Sequence, residues 1–357
     1  MSIMRKYKKW CSITVGLIFG VSGILKVMDP VGTGLIVEAY FRFMHLLESA
    51  YVAKILGVLL GALEAIIGFA AAFRILSRIT GWVMLGMQSA FTMISLALVI
   101  WNPQMHCGYF GEAIHLTHWQ TFIKNIVLMG MLLYALFPLR RLYYINRWQP
   151  VAYIVSLTFI TCVAIYSWYD LPLIDFTDYK KGTLIENHTS NNYIINYIYS
   201  KDDQIKIFDK EACPDTSWTF IGIESKKVKE PGTYKELILY QREGYIYHPI
   251  CHAKTLIVSI YSELSIKKKT NIEEFIKRCV TNSDYTIIIL CEWNIDLKFS
   301  NSDKILFAYQ DASIIKGLNR SNGGVTLISN KRIEGKWANN SLLLKRFVAK
   351  INNCSNL

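Results

Sequence analysis

The stretch YVAKILGVLLGALEAIIGFAAAF, residues 51–73, determines what kind of protein this chain is. The stretch is longer than the ~20 helical residues that are needed to cross a hydrocarbon core. Its charged residues are Lys54, close to the start, and Glu64, near the middle. A run of this length and composition predicts a membrane-spanning helix.

The first half of the chain contains five apolar runs of this kind. They cover residues 11–27, 51–73, 79–101, 121–138 and 151–168. The charge is divided accordingly, because residues 1–170 hold 13 Lys and Arg and 6 Asp and Glu, whereas residues 171–357 hold 26 and 21. This composition excludes a wholly soluble enzyme, a disordered tail and a fibrous repeat. It predicts an all-α transmembrane bundle that contacts the lipid bilayer and is followed by a soluble domain.

The connecting segments differ in their content of Lys and Arg. Nine of these residues lie before the first run, between the second and third runs, and between the fourth and fifth. The positive-inside rule therefore places the N-terminus in the cytoplasm and, after five crossings, the C-terminal domain in the periplasm. We expect a multi-pass protein of a bacterial inner membrane. Much of the net charge of +12 lies at membrane boundaries, so no nucleic-acid partner is expected.

Glu64 is a candidate functional residue within the membrane. It shares a helix face with Gly57, Gly61 and Gly68, so we expect it to point into the bundle. Intramembrane acids commonly serve as proton or ligand sites, which would suit a proton-coupled transporter. The alternative is a protonated structural acid, bonded to a Tyr, a Ser or a backbone carbonyl of a neighbouring helix. The sequence leaves both interpretations open.

The segment of residues 102–120 concentrates chemically reactive side chains. It contains Cys107 together with His106, His115 and His118. One Cys and three His could hold a metal ion. However, no second Cys is nearby and His is common at membrane interfaces, so we predict no metal site.

Several motifs of the membrane half resemble the DoxX/MauE superfamily, and more narrowly its Bacteroidetes-type members. These are SGILKVMDP at residues 22–30, Glu64, CGYFG at 107–111 and THWQTFIKN at 117–125. The resemblance implies a four-helix membrane core, to which the fifth run adds a helix. It marks Lys26 and Asp29 as functional candidates beside Glu64. It also implies a part in the maturation of a disulfide-rich periplasmic enzyme in methylamine utilisation, or in thiol redox chemistry.

The chain departs from the family pattern at one important position. The family often carries Cys-x-Cys in this segment, whereas Tyr109 stands here in place of the second Cys. A dithiol relay needs a resolving thiol. Cys107 is therefore a catalytic candidate only for a thiol-disulfide oxidoreductase linked to quinone, with Cys162 as one candidate partner, or else it is a plain interfacial cysteine. We predict no cofactor other than this quinone. The missing second Cys favours a protein that is not an enzyme.

The outer half divides into two predicted parts. Residues 170–250 are rich in β-branched and aromatic residues, with strands expected at 192–199, 217–223 and 234–240. From residue 251, strands at 254–261 and 285–292 alternate with helices at 271–280 and 311–318, which Asn271 and Asp311 are expected to cap. A hairpin over 325–337 and a helix over 342–351 follow. This order of elements is that of a thioredoxin-like domain, and residues 170–345 also resemble the C-terminal half of the same family.

The thioredoxin-like part lacks the residues of a redox-active site. Such a site carries Cys-x-x-Cys after the first strand, and residues 259–269 contain no Cys. Gly323 stands where this fold carries a cis-proline. We predict that this part has no dithiol catalysis. Cys213 and Cys251, each close to a Pro, are expected to be disulfide or partner thiols, whereas Cys279 and Cys291 are expected to be buried.

These features predict a chain of four parts. They are a DoxX/MauE-like membrane domain over residues 1–148, a fifth transmembrane helix over 149–169, a β-rich module over 170–250 and a thioredoxin-like domain over 251–357. The favoured function is a non-catalytic maturation, assembly or scaffolding factor of the cell envelope. Its partner would be a periplasmic or inner-membrane protein. The oxidoreductase that uses Cys107 and the transporter that uses Glu64 are the alternatives.

Overall fold

The structure is a computed structural model. It describes residues 2–46, 49–73, 75, 77–103, 116–136, 148–186, 193–201, 204–208, 219–227, 234–237, 239–240, 246–247, 254–280, 285–292 and 305–339. Within these ranges the first half of the chain is helical, and the second half contains two sheets and two helices.

The helices of the first half form the membrane bundle. They are α1 (Ser2–Met28), α2 (Pro30–Phe43), α3 (Ala50–Ala72), α4 (Ser77–Trp101), α5 (His118–Leu136) and α6 (Trp148–Tyr169). Within the described residues, four spans are long and apolar enough to cross a membrane: Lys6–Met28, Ala50–Ala72, Ile79–Trp101 and Trp148–Tyr169. These spans confirm four of the five predicted runs and imply contact with the lipid bilayer. The remaining run is helical in α5 but is not among the four.

Helix α2 was not predicted from the sequence, because it is separated from α1 by Asp29 alone. The Asp29 side chain accepts a hydrogen bond from the backbone N–H of Gly32 at 2.8 Å and so caps α2. Pro30 occupies the first turn, where a missing N–H has no cost. The Thr33 hydroxyl donates to the backbone oxygen of Lys26 at 2.9 Å. Residues 30–43 are therefore a helix held against the end of α1 and packed on α3.

Helices α1 and α3 approach so closely that several of their contact positions leave no room for a side chain. A Cβ atom at Gly23 would clash with the backbone of Ala65, and one at Gly68 would clash with the backbone of Gly20. Small residues on facing helices allow such an approach. The expectation that Glu64 points into the bundle is confirmed, and the glycine face around it packs against the glycine face of α1.

In the second half of the chain, the described residues form twelve short strands and helices α7 (Ile266–Val280) and α8 (Ala312–Leu318). The strands are β1 (Leu184–Glu186), β2 (Tyr193–Lys201), β3 (Gln204–Phe208), β4 (Thr219–Lys227), β5 (Tyr234–Glu236), β6 (Leu239–Tyr240), β7 (Ile246–Tyr247), β8 (Lys254–Ile260), β9 (Tyr285–Cys291), β10 (Ile305–Tyr309), β11 (Gly324–Ser329) and β12 (Arg332–Trp337). Nine of the described strands form one sheet in the order β5-β1-β12-β11-β8-β9-β10-β6-β7, and the others form an antiparallel sheet in the order β3-β2-β4.

The centre of the large sheet is mixed. Strands β8, β9 and β10 are parallel, β11 is antiparallel to β8, and β11 and β12 form a hairpin. The turn of the hairpin places Asn330 and Lys331 at φ values of 49° and 61°, which suits the right-handed twist of the strands. Helix α7 covers one face with Ile272 and Phe275, and α8 covers the other with Ile315. Strands β8 and β9 are largely apolar because both faces are covered.

Several expectations for this half are confirmed and others are wrong. The strands at 254–261 and 285–292, the hairpin and the Asp311 cap of α8 are present. The predicted cap Asn271 is wrong, because α7 begins at Ile266 and Asn271 lies in its second turn. The predicted strand at 234–240 is divided between β5, which pairs with β1, and β6, which pairs with β10. The predicted helix at 342–351 lies outside the described residues.

The large sheet joins residues from both sides of the predicted boundary at residue 250. Strands β1, β5, β6 and β7 precede that boundary and β8 to β12 follow it, yet all nine belong to one sheet. The short strand β10 was not predicted. The division of the chain into four parts stays a prediction.

Candidate functional site

A buried ion pair lies between α1 and α3. The Lys26 ammonium donates to Oε2 of Glu64, and also to the Ser22 hydroxyl at 3.1 Å. The side chain of Glu64 is fully buried, whereas Lys26 retains 7 % of its side-chain surface. An isolated charge is costly in a membrane interior, so each of these residues depends on the other.

The residue that follows α1 connects the membrane bundle to the sheet domain. Oδ2 of Asp29 accepts a hydrogen bond from Nε of Arg320 at 3.1 Å and lies 3.0 Å from Nη2 of the same guanidinium. Both side chains are more than nine-tenths buried. Asp29 therefore has two roles, since its other oxygen caps α2.

A second set of charges supports this connection. Lys316 of α8 lies 3.8 Å from Oε2 of Glu38 on α2, and Glu38 also pairs with Arg42 at 3.1 Å. Nη1 of Arg320 donates to the backbone oxygen of Lys316 at 3.2 Å. The end of α8 therefore contacts α2 and its cap through two cations, Lys316 with Glu38 and Arg320 with Asp29.

Between these two parts lies a cavity of about 500 Å³, which we call the junction cavity. Its lining comes from α2, the start of α3, the end of α6, the β8–α7 loop of residues 261–265, and the two helices of the sheet domain. The charged residues of the lining are Asp29, Glu38, Lys54, Asp170, Glu263, Lys268, Lys316 and Arg320. The Lys54 ammonium lies 4.2 Å from the centre of the Trp168 ring, a cation–π contact.

The β8–α7 loop is fixed by the segment that precedes β11. Asn322 accepts from the backbone N–H of Tyr261 at 3.0 Å and donates to the Ser262 hydroxyl at 2.7 Å. The Tyr261 hydroxyl donates to the backbone oxygen of Arg320 at 2.7 Å. Burial raises the pKa of Tyr261, so this hydroxyl stays protonated and remains a donor.

Gly323 has the backbone conformation that explains why no proline stands there. Its φ is +82°, and its N–H donates to the backbone oxygen of Ser259 at 2.7 Å. Proline has a φ near −65° and no N–H, so it could satisfy neither requirement. A glycine at position 323 meets both requirements.

The polypeptide that leaves α6 is also bound to the sheet domain. Lys336 of β12 contacts Oδ2 of Asp175 at 2.7 Å and the Thr177 hydroxyl at 3.1 Å. Burial raises the pKa of Asp175, but Lys336 and the hydrogen bonds from Thr177 more than offset this, so the pKa lies below its ordinary value. Burial lowers the pKa of Lys336 more than Asp175 raises it.

Residues 4–138 match the family described as Methylamine utilisation protein MauE. Helices α1 to α5 therefore form a MauE-type membrane domain. Residues 193–230 match a domain of unknown function, DUF8463, over the part of the chain that forms β2, β3 and β4. No curated protein and no solved structure matches the chain.

The MauE-type domain brings together three of the residues predicted from the sequence. All three lie near the end of α1. Lys26 pairs with Glu64, whereas Asp29 pairs with Arg320 of the sheet domain. Cys162 is exposed on α6 and is not part of a disulfide among the described residues. Cys107, Cys213 and Cys251 lie outside the described residues.

Two further expectations concern cysteines and histidines. Cys279 and Cys291 are buried as predicted, and burial raises the pKa of each thiol to about 12. Nε2 of His118 lies 3.0 Å from the backbone oxygen of Pro103. Within the described ranges, no three His, Cys, Asp or Glu side chains are grouped as metal ligands would be.

The sequence analysis missed the partners of the predicted residues. Lys26 could have been proposed as the partner of Glu64, because both are charged residues in long apolar runs. Arg320 follows Asn319 in a segment that resembles the family, but nothing in that pattern indicates Asp29. Lys54 and Lys268 lie in separate helices, and no local pattern indicates that both line the same cavity.

Proposed function

We propose that this chain is a non-catalytic factor for the maturation, assembly or scaffolding of another envelope protein. The MauE-type domain anchors it in a bacterial inner membrane, with the N-terminus in the cytoplasm and the sheet domain in the periplasm. One observation carries the proposal. The Asp29–Arg320 pair fastens the sheet domain to the membrane bundle, with the β8–α7 loop facing the junction cavity, and that loop contains no thiol.

The strand arrangement supports a thioredoxin-like origin for the sheet domain. The parallel pair β8 and β9 with α7 between them, and the hairpin β11–β12 beside β8, follow the order proposed from the sequence. In such a fold the β8–α7 loop would carry the reactive dithiol. Here it carries Ser262, Glu263 and Ser265 instead. A domain that retains this fold without its thiols is suited to binding a partner.

The test is a complementation experiment in the native host. The gene is deleted and replaced by one of three versions: the unchanged chain, a quadruple variant (Cys107→Ala, Cys162→Ala, Cys213→Ala and Cys251→Ala), or Arg320→Gln. The abundance of envelope proteins is then measured by quantitative mass spectrometry. We expect the cysteine variant to restore the proteins that the deletion depletes, and Arg320→Gln to fail although it is present in the membrane.

The opposite pattern would favour the thiol oxidoreductase. If the cysteine variant fails while Arg320→Gln restores the depleted proteins, thiol chemistry is the function and the junction is incidental. Cys279 and Cys291 are left unchanged in this design because they are buried in the core of the sheet domain.

A further inference from the structure

Aromatic side chains at the ends of two membrane-spanning helices line the junction cavity. Tyr51 and Tyr169 stand at the ends of two membrane-spanning helices and both line the cavity, with 68 % and 78 % of their surface exposed. Trp168 is next to them in the lining. Tyrosine and tryptophan are enriched where the bilayer meets water. The cavity is therefore within reach of a lipid headgroup.

Two lysines from different parts of the chain line this cavity. Lys54 belongs to α3 of the membrane bundle, and Lys268 belongs to α7 of the sheet domain. Their ammonium groups repel each other, and burial lowers the pKa of Lys268. Within the described part of the chain, neither forms an ion pair with a carboxylate. An anion between them would relieve the repulsion and would stabilise the charged form of both ammonium groups.

Two of the carboxylates in the lining are already engaged by other cations. Asp29 pairs with Arg320, and Glu38 pairs with Arg42 and Lys316. Asp170 and Glu263 complete the lining, so the cavity presents both signs of charge. Its volume of about 500 Å³ lies within the range of roughly 300–1,000 Å³ that is usual for small-molecule sites.

We propose that the junction cavity binds the phosphate group of a membrane phospholipid between Lys54 and Lys268. The acyl chains then remain in the bilayer beside Tyr51 and Tyr169. The lipid joins the two parts of the chain, because one lysine comes from each part. This site goes beyond the proposed function, which does not require a bound lipid.

The test uses the full chain, purified in mild detergent and titrated with phosphatidylglycerol. Binding is measured by native mass spectrometry, and diacylglycerol with the same acyl chains is the ligand without phosphate. We compare the unchanged chain with Lys54→Gln/Lys268→Gln. The matched control is Lys267→Gln/Lys277→Gln, which removes the same charge from exposed positions of α7. Thermal unfolding confirms that each variant is folded.

We expect the unchanged chain and the control to bind one phosphatidylglycerol at least tenfold more tightly than diacylglycerol. In Lys54→Gln/Lys268→Gln this preference should fall by about tenfold or more, since two charge-assisted hydrogen bonds are lost. Lys268→Gln alone gives an intermediate loss without touching a membrane helix. Equal binding of the two lipids, or an unchanged preference in the lysine variant, overturns the proposal. Displacement of the lipid by equimolar glycerol phosphate would show that the site binds a soluble phosphate, and it would overturn the assignment to a membrane phospholipid.

Discussion

Asp29 and Arg320 are separated by 291 positions in the chain, yet their side chains form a buried ion pair with an N–O distance of 3.0 Å. Asp29 belongs to the Lys-x-x-Asp-Pro motif that ends α1, and Arg320 follows α8 of the sheet domain. The motif is therefore a docking element as well as a helix boundary. Its proline begins α2, its lysine holds Glu64, and its aspartate holds the sheet domain.

Arg320→Gln should weaken the docking of the sheet domain on the membrane bundle. Removing one partner of a buried ion pair leaves an uncompensated charge and typically costs about 3–5 kcal/mol. We expect the variant to be cut by protease in the polypeptide after α6 much faster than the unchanged chain. Gel analysis of the fragments measures this rate.

The control for this experiment is Arg278→Gln. Arg278 pairs with Glu274 on the exposed face of α7, so its loss should cost less than about 1 kcal/mol. The double variant Asp29→Asn/Arg320→Gln should recover part of the stability, because it buries no unpaired charge. Equal protease resistance of Arg320→Gln and Arg278→Gln would falsify the docking role of the Asp29–Arg320 pair.

Glu64→Gln should destabilise the membrane bundle, because it leaves the ammonium of Lys26 buried without its counter-charge. The expected loss is again about 3–5 kcal/mol, whereas Lys26→Met/Glu64→Leu should be close to neutral or stabilising. Thermal unfolding of the purified chain in detergent measures both.

The double variant also separates two interpretations of Glu64. If Lys26→Met/Glu64→Leu folds and restores the envelope proteins in the deletion strain, the pair is structural. If it folds and fails, Glu64 has a function that needs its charge, as a transporter would. Glu274→Gln, on the exposed face of α7, serves as the control.

The apolar runs predicted the membrane half well because burial in lipid is a local property of the sequence. Strands β8 and β9 were predicted correctly for a similar reason, since both are continuous apolar segments. Helix α2 was missed because it begins only two residues after α1 ends, and an aspartate followed by a proline is typical of a loop.

The charged contacts could not be predicted because they depend on the packing of distant segments. Lys26 and Glu64 lie on separate helices, and their pairing follows from the glycine contacts between α1 and α3. Asn271 was a reasonable cap by residue type. It was the wrong one because α7 begins earlier, at Ile266. The loop before this helix is held by hydrogen bonds from Asn322 to Ser262, which the local sequence does not reveal.

The contact between Asp175 and Lys336 should make the stability of the sheet domain sensitive to acid. The pKa of Asp175 lies below its ordinary value of 3.8, so its stabilising effect is complete above that value and is lost as the pH falls through the lower, folded-state pKa. In urea unfolding, the advantage of the unchanged chain over Asp175→Asn should be constant between about pH 7 and pH 5 and should shrink below about pH 4.

Asp178→Asn is the matched control for this measurement. Asp178 lies 2.9 Å from Lys235, but its side chain is 64 % exposed, so the pair contributes little. A difference between the unchanged chain and Asp175→Asn that grows on acidification would contradict the assignment.

Cys279 and Cys291 should be unreactive in the folded protein. Burial raises the pKa of each thiol to about 12, so very little of either side chain is the reactive thiolate near pH 8. We expect iodoacetamide to label them only after unfolding in guanidinium, as mapped by mass spectrometry. Labelling of either residue in the native chain, at the rate of an exposed thiol, would show that the core opens readily. Fast labelling confined to other cysteines assigns any thiol chemistry to those positions.

Gly323→Ala should destabilise the sheet domain, since a φ of +82° is strained for any residue with a Cβ atom. That atom would also collide with the side chains of Asn339 and Ile272. The expected cost is about 1–3 kcal/mol in thermal unfolding. Gly86→Ala in α4 is the control, because nothing lies within 4 Å of the new methyl group and alanine favours a helix.

Gly323→Pro should be more harmful than Gly323→Ala, because it also removes the N–H that bonds to Ser259. A Gly323→Pro variant as stable as the unchanged chain would mean that this segment can adopt the conformation of a thioredoxin's cis-proline loop after all.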